Sequence, residues 1–160
     1  MRYLTLSELV YINGVVLNDS QILSGKRQIR EVELLDAAVA RPAQSAFGVD
    51  AYSTLAEKVA ALFHSVARNH PFTNGNKRTA TLAAVFMFKV NGQCVVWKPE
   101  DALLRIVSVA EGHASMESLA AWFVCEPCEG LPEPDAERDK QIIARIIEDH
   151  RWLLDELAKR

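Results

Sequence analysis

The chain has 160 residues, 49% of them hydrophobic, and a formal net charge of −3. That size favours one domain with a real core, and that charge excludes a broad basic surface for nucleic acid. The longest apolar stretch, Leu82 to Phe88, lies between Arg78 and Lys89, far short of the roughly 20 residues a membrane-spanning helix needs. The opening Met1-Arg2-Tyr3-Leu4 lacks the apolar core of a signal peptide, so a cytoplasmic location is expected.

The pattern is mostly helical, and an all-α fold is expected. Ser7 is placed to cap a first helix carrying Leu9, Val10, Tyr11 and Ile12, which Asn13-Gly14 would weaken or end. Residues 19–28 are mostly polar and read as a loop. Arg30 to Ala40 forms a second helix with Val32, Leu35, Ala38 and Val39 on its apolar side, ended by Arg41-Pro42 because a residue before proline avoids the helical region. Residues 43–52, with Phe47-Gly48, read as a mobile loop or flap. Thr54-Leu55-Ala56-Glu57 fits a capping box, after which Leu55, Val59, Leu62, Phe63 and Val66 recur at helical spacing.

That third helix, with His64 expected at its surface, delivers the chain to His70, and Pro71 marks the break. A fourth helix over about Asn76 to Val90 is apolar on nearly all sides, as central helices are. Asn91-Gly92 is a turn, and Gln93 to Trp97 leans toward a short strand or hairpin arm. A fifth helix opens at Pro99 and stops at Gly112, and Ser115 caps a sixth. Residues 125–134, rich in proline, read as a linker between a domain over 1–124 and one amphipathic helix over 135–160. In that helix Ile143, Ile147, His150, Leu154 and Leu157 form a heptad-like seam, widened by Ile142, Ile146 and Leu153. The seam suits either docking on the domain or self-association.

The chemistry concentrates in His70-Pro71-Phe72-Thr73-Asn74-Gly75-Asn76-Lys77-Arg78. A loop feeding the N-terminus of a buried helix exposes unpaired N–H groups at the positive end of the dipole, a ready site for phosphate. His70 suits a general base, and nearby Lys77 and Arg78 would disfavour its charged form. Gly75 lets the backbone approach a ligand, and Asn76 can cap the helix or donate its amide to an anion. Lys77 and Arg78 sit where the dipole disfavours cations, a cost that a bound phosphate would offset. Neither a Walker loop nor a Gly-x-Gly-x-x-Gly run is present. Cys125 and Cys128 have the spacing of a zinc knuckle or redox motif, but zinc would need two more ligands, and the plainer reading is free thiols.

The loop resembles the motif of the Fic/Doc superfamily, His-Pro-Phe-x-Asp/Glu-Gly-Asn-Gly-Arg, in the form of its death-on-curing (Doc) branch, which ends Asn-Lys-Arg as Asn76-Lys77-Arg78 do. Further likeness lies in Tyr3-Leu4-Thr5, in Leu34 to Pro42, in Lys58 to Asn69 and in Ala110 through Trp122, so it covers roughly residues 1–124. The resemblance implies a Fic/Doc-like helical bundle with a small β-flap, the helix over 135–160 being an addition. It implies an ATP-dependent protein kinase that arrests translation, the family's target being a threonine of elongation factor Tu. His70 would deprotonate the target hydroxyl, and residues 74–78 (Asn74, Gly75, Asn76, Lys77 and Arg78) would hold the nucleotide, with Mg²⁺ as cofactor.

The alternatives are a Fic-type protein nucleotidyltransferase, from which Lys77 is the main discriminator, and a catalytically silent module that binds an anion or a partner. Asn74 stands where many members carry an acid for Mg²⁺, and an amide is a weaker ligand for that hard cation. The self-inhibitory pattern Ser/Thr-x-x-x-Glu-Gly/Asn of some Fic proteins is absent: Val107 stands four positions before Glu111-Gly112, and Cys125 before Glu129-Gly130. Neutralisation is therefore expected from a separate antitoxin whose disordered tail folds into a groove. A homo-oligomer through the C-terminal helix is a further possibility of the same reading.

Overall fold

A computed structural model describes residues 1–17 and 28–160. The loop expected over 19–28 thus falls outside the described residues except for Gln28. In chain order the helices are α1 (Leu6–Leu17), α2 (Val32–Ala40), α3 (Leu55–Asn69), α4 (Asn76–Val90), α5 (Pro99–Ala110), α6 (Met116–Trp122), α7 (Ala136–Asp149) and α8 (Arg151–Ala158). Two small antiparallel pairs accompany them: β1 (Ser45–Ala46) with β2 (Val49–Asp50), and β3 (Gln93–Val95) with β4 (Cys125–Pro127). The fold is all-α with a small β-flap, as expected.

Helix α4 is the axis of the molecule. Twelve of its fifteen residues are buried, which only a helix surrounded by others can achieve. It packs against α1, α3, α5, α7 and α8. Around it Leu9, Ile12, Leu35, Phe63, Phe86, Met87, Ile106 and Leu119 form one continuous core. Helix α3 is entered as the sequence indicates: the Thr54 hydroxyl accepts the Glu57 N–H at 3.1 Å. Glu57 returns to the Ser53 N–H at 3.2 Å, one residue earlier than a strict capping box.

Several expectations are corrected. The cap of α1 is Thr5 rather than Ser7: the Thr5 hydroxyl accepts the Glu8 N–H (3.2 Å), and the Glu8 carboxylate accepts the Thr5 N–H (2.8 Å). Asn13-Gly14 does not end α1, which runs on to Leu17. The reason is tertiary, because Asn13 is fully buried and its amide donates to the Thr79 hydroxyl and the Asn74 carbonyl, both at 3.0 Å. His64 is half-buried rather than at the surface, with Nδ1 3.0 Å from Arg41 Nη1.

The stretch read as a linker carries β4, which pairs with β3 in the register Gln93↔Pro127, Cys94↔Glu126 and Val95↔Cys125. That pairing brings Cys94 and Cys128 to a Cα separation of 6.0 Å, where they form a disulfide. Cys125 is left as a half-buried thiol, its pKa pushed up to about 11 by burial. The Cys125/Cys128 pair is therefore not a metal clip.

The C-terminal stretch forms two helices instead of one, because His150 leaves helical geometry (φ −113°, ψ 22°). Both dock on the domain, burying Ile143, Ile146, Leu153, Leu154 and Leu157. At the bend the His150 ring meets Trp97 edge-on at 5.7 Å, and Trp97 stacks on Trp122 at 5.6 Å.

Candidate active site

The loop between α3 and α4 is fixed by contacts from four directions. Phe72 is 1% exposed and anchors it in the core. The Asn76 side chain, itself buried, accepts the Phe72 N–H at 3.1 Å and donates to the Phe72 carbonyl at 3.0 Å. Its amide thus ties the loop to the first turn of α4. From α1, Asn13 holds the Asn74 carbonyl. From the segment before α2, the Arg30 N–H donates to the Pro71 carbonyl at 2.8 Å, and its guanidinium donates to the carbonyls of His70 (2.6 Å) and Asn69 (2.7 Å). A cation on the last carbonyls of α3 satisfies orphan acceptors and favours the dipole.

These restraints give His70 a backbone that few residues adopt. It closes α3 in the left-handed region (φ 51°, ψ 60°), a conformation that costs a non-glycine residue energy and is often kept at functional sites. The ring is exposed at the mouth of a cavity of about 190 Å³. Its pKa lies below the ordinary histidine value. Burial of part of the ring is the largest cause, followed by the charges of Lys77, Arg30 and Arg68. Lys77 was expected in that role; Arg78, expected beside it, is not among the causes. Arg30 and Arg68 come from outside the motif, so the motif alone gave no signal for them.

Gly75 is the N-cap of α4 with φ 73°. A Cβ here would stand 3.1 Å from Val16 Cγ1 and 3.2 Å from Leu17 Cδ2, so both backbone and packing call for glycine. No side chain caps α4, and its first backbone bond runs from the Thr79 N–H to the Gly75 carbonyl. The N–H groups of residues 76–78 thus open the helix toward the cavity, an anion site by geometry. Lys77 is half-exposed beside them. Arg78 is half-buried, with Nη1 3.4 Å from the Val16 carbonyl. Burial works against its charge and the Asp155 carboxylate of α8 works for it, the net being a lowered pKa.

The cavity is lined by His70, Thr73 and residues 74–78, and also by Leu157, Ala158 and Arg160 of the C-terminal segment. No spacing rule links residues 70–78 to 157–160, and the sequence reading missed them. A larger cleft of about 430 Å³ lies between α4 and α7. It is lined by Lys89, Arg138, Arg145, Glu129, Asp149 and His150, none of them part of the motif loop. The smaller cavity is the one that gathers the motif residues His70 and 74–78.

For a metal the donors are poor. Among the described residues no group of three or more His, Cys, Asp or Glu can hold one. Asn74, the expected ligand, has its side-chain oxygen 2.8 Å from the Gly75 N–H. Hard cations favour charged oxygen donors, so these residues do not make a protein-built Mg²⁺ site.

An exposed histidine thus stands at a cavity floored by an uncapped helix N-terminus, between two helices of an all-α bundle. A model of the Fic/DOC family matches residues 3–88. Toxin Doc of Mycolicibacterium smegmatis is 45% identical over 121 residues, covering 72% of this chain and 91% of that protein. The chain belongs to the Fic/DOC family, whose members transfer a nucleotide-derived group to a protein.

Proposed function

We propose that the protein is a Doc-type toxin that phosphorylates a protein hydroxyl from ATP and so arrests translation, with a threonine of elongation factor Tu as target. The observation that carries this reading is His70: an exposed imidazole with a lowered pKa, at the mouth of a cavity whose floor is the N-terminus of α4 with Lys77 and Arg78. Likeness to a Doc toxin supports the branch. Lys77 in place of a motif glycine supports transfer of the γ-phosphate over transfer of AMP.

In this reading His70 takes the proton of the target hydroxyl. The hydroxyl oxygen attacks the γ-phosphorus, the bond to the β–γ bridging oxygen breaks, and ADP leaves. Lys77, Arg78 and the backbone N–H groups of residues 76–78 neutralise the phosphates, which is most of what phosphoryl transfer asks of a protein. Asn76 and Gly75 shape the cradle. Mg²⁺, when bound, supplies further charge neutralisation and is held chiefly by the nucleotide. The neutralising partner is an antitoxin with a disordered tail, and the site of action is the cytoplasm.

The test is label transfer to protein from ATP carrying the label at either the γ- or the α-phosphate. Transfer from the γ-position, lowered about 10²–10⁴-fold in His70→Ala and lost in Arg78→Ala, is the expected result. Transfer from the α-position alone replaces the kinase by a nucleotidyltransferase, and Lys77→Gly should then raise it. A silent binding module is favoured by one observation, the amide of Asn74 bonded to its own loop where an acid would hold metal. Nucleotide binding without transfer of either label would establish it.

A further inference from the structure

The pair α7–α8 lies beyond the residues the family model matches, yet it reaches the site. Helix α8 is seated by Leu153, Leu154 and Leu157, which are 1%, 6% and 2% exposed. That seat carries Leu157, Ala158 and Arg160 to the cavity that holds His70 and residues 74–78. One turn earlier, Asp155 is near enough to Arg78 to favour its charge against burial.

The C-terminal end of a helix carries a partial negative charge. Set beside a phosphate cradle, the end of α8 would oppose binding of the anion. Arg160 stands at that end, its N–H donating to the Leu157 carbonyl at 3.2 Å. A guanidinium there offsets that partial charge and can fork onto phosphate oxygens. We propose that α8 is a working wall of the nucleotide pocket and that Arg160 binds the polyphosphate directly, completing from the C-terminal segment the cationic set begun by Lys77 and Arg78. The proposal rests on the nucleotide reading of the His70 cavity. It makes the C-terminal segment part of the enzyme's substrate site rather than an appendage.

The test measures the dissociation constants of Mg-ATP and of inorganic tripolyphosphate by calorimetry on the full chain. The parent is compared with Arg160→Ala, Arg160→Lys, Arg160→Glu and Arg78→Ala, and thermal unfolding is recorded for each. Expected are a loss of roughly tenfold for both ligands in Arg160→Ala, partial recovery in Arg160→Lys and a larger loss in Arg160→Glu, with the midpoint of unfolding nearly constant. A residue that served only the helix dipole would instead lower the midpoint and leave both affinities unchanged, overturning the proposal. An Arg160→Ala protein that binds either ligand as tightly as the parent or tighter, while Arg78→Ala binds weakly, overturns it too and leaves the nucleotide reading standing. Failure of the parent itself to bind either ligand removes that reading and this proposal together.

Discussion

At the scale of the residue, His70 concentrates the chemistry. Its left-handed backbone and the arginine on its carbonyl fix its position, while partial burial and the cations around its ring favour the uncharged imidazole. A general base works only when deprotonated, so transfer should be flat at neutral pH. It should fall on acidification with an apparent pKa below the ordinary histidine value near 6.5. Lys77→Ala removes one positive neighbour, so its acid limb should move to higher pH. A pH–rate profile of parent and variant checks both statements, and an acid limb that stays put in the variant would remove Lys77 as a cause. The same shift bears on stability. The unfolded chain binds more protons than the folded one between the folded pKa of His70 and 6.5, so this residue's contribution is lost as pH falls through that window. His64 and His150, also lowered by burial, act with the same sign.

At the scale of the element, the question is what holds α7 to the domain. Arg2 is 7% exposed, and its guanidinium donates to Glu8 and to Asp139, both at 2.7 Å, and to the Leu131 carbonyl at 3.0 Å. One side chain thereby joins the N-terminal segment, α1, the stretch before α7 and α7 itself. Burial alone would raise the Asp139 pKa. The bonds from Arg2, the Asp135 backbone and Arg138 outweigh it, and the net is a lowered value. Its contribution is therefore present above the ordinary aspartate pKa and lost as pH falls through the folded one. Arg2→Ala leaves that carboxylate buried without its main partner and should cost about 3–5 kcal/mol, with Arg2→Ala/Asp139→Ala costing less than the sum of the two single changes. Urea unfolding of the four proteins of this cycle measures both quantities, and strictly additive effects would show that the two residues do not act as a pair.

At the scale of the whole molecule, the disulfide and the docked C-terminal pair make one body of what reads in sequence as a domain, a linker and a helix. Cys94–Cys128 closes a loop with a sequence separation of 34. By chain entropy that closure stabilises the fold by at most about 4 kcal/mol. Such bonds persist in oxidising surroundings and are rare where thiols are kept reduced, so in the cytoplasm proposed above the two thiols would stand reduced. The parent should therefore unfold at higher urea without reductant than with it. Cys94→Ser should match the reduced parent in both conditions. Equal midpoints for the oxidised parent and Cys94→Ser would show that the bond adds nothing to the fold.

The sequence by itself determined the elements whose signals are local. Thr54 caps α3, Pro99 opens α5, Ser115 caps α6, and α4 spans the expected Asn76 to Val90. The motif likewise marked the neighbourhood of His70, because a histidine, a turn glycine and two cations within nine residues need no partner elsewhere to be noticed. What only the tertiary structure decided depends on contacts between distant residues. The Thr5–Glu8 box that caps α1 in place of Ser7 spans only three residues and is local, whereas α1 passes through Asn13-Gly14 because a buried amide finds Thr79 and Asn74 across the core. Asn76 is bound to Phe72, Cys128 pairs with Cys94 instead of acting beside Cys125, and the C-terminal helix bends at His150 to seat on Trp97. Arg30, Arg68 and Arg160 join the site from 40 residues before His70, from the end of α3 and from the far end of the chain. Periodicity and capping are properties of neighbours along the chain. A cavity wall is a property of packing, and no residue's spacing announces which wall it will form.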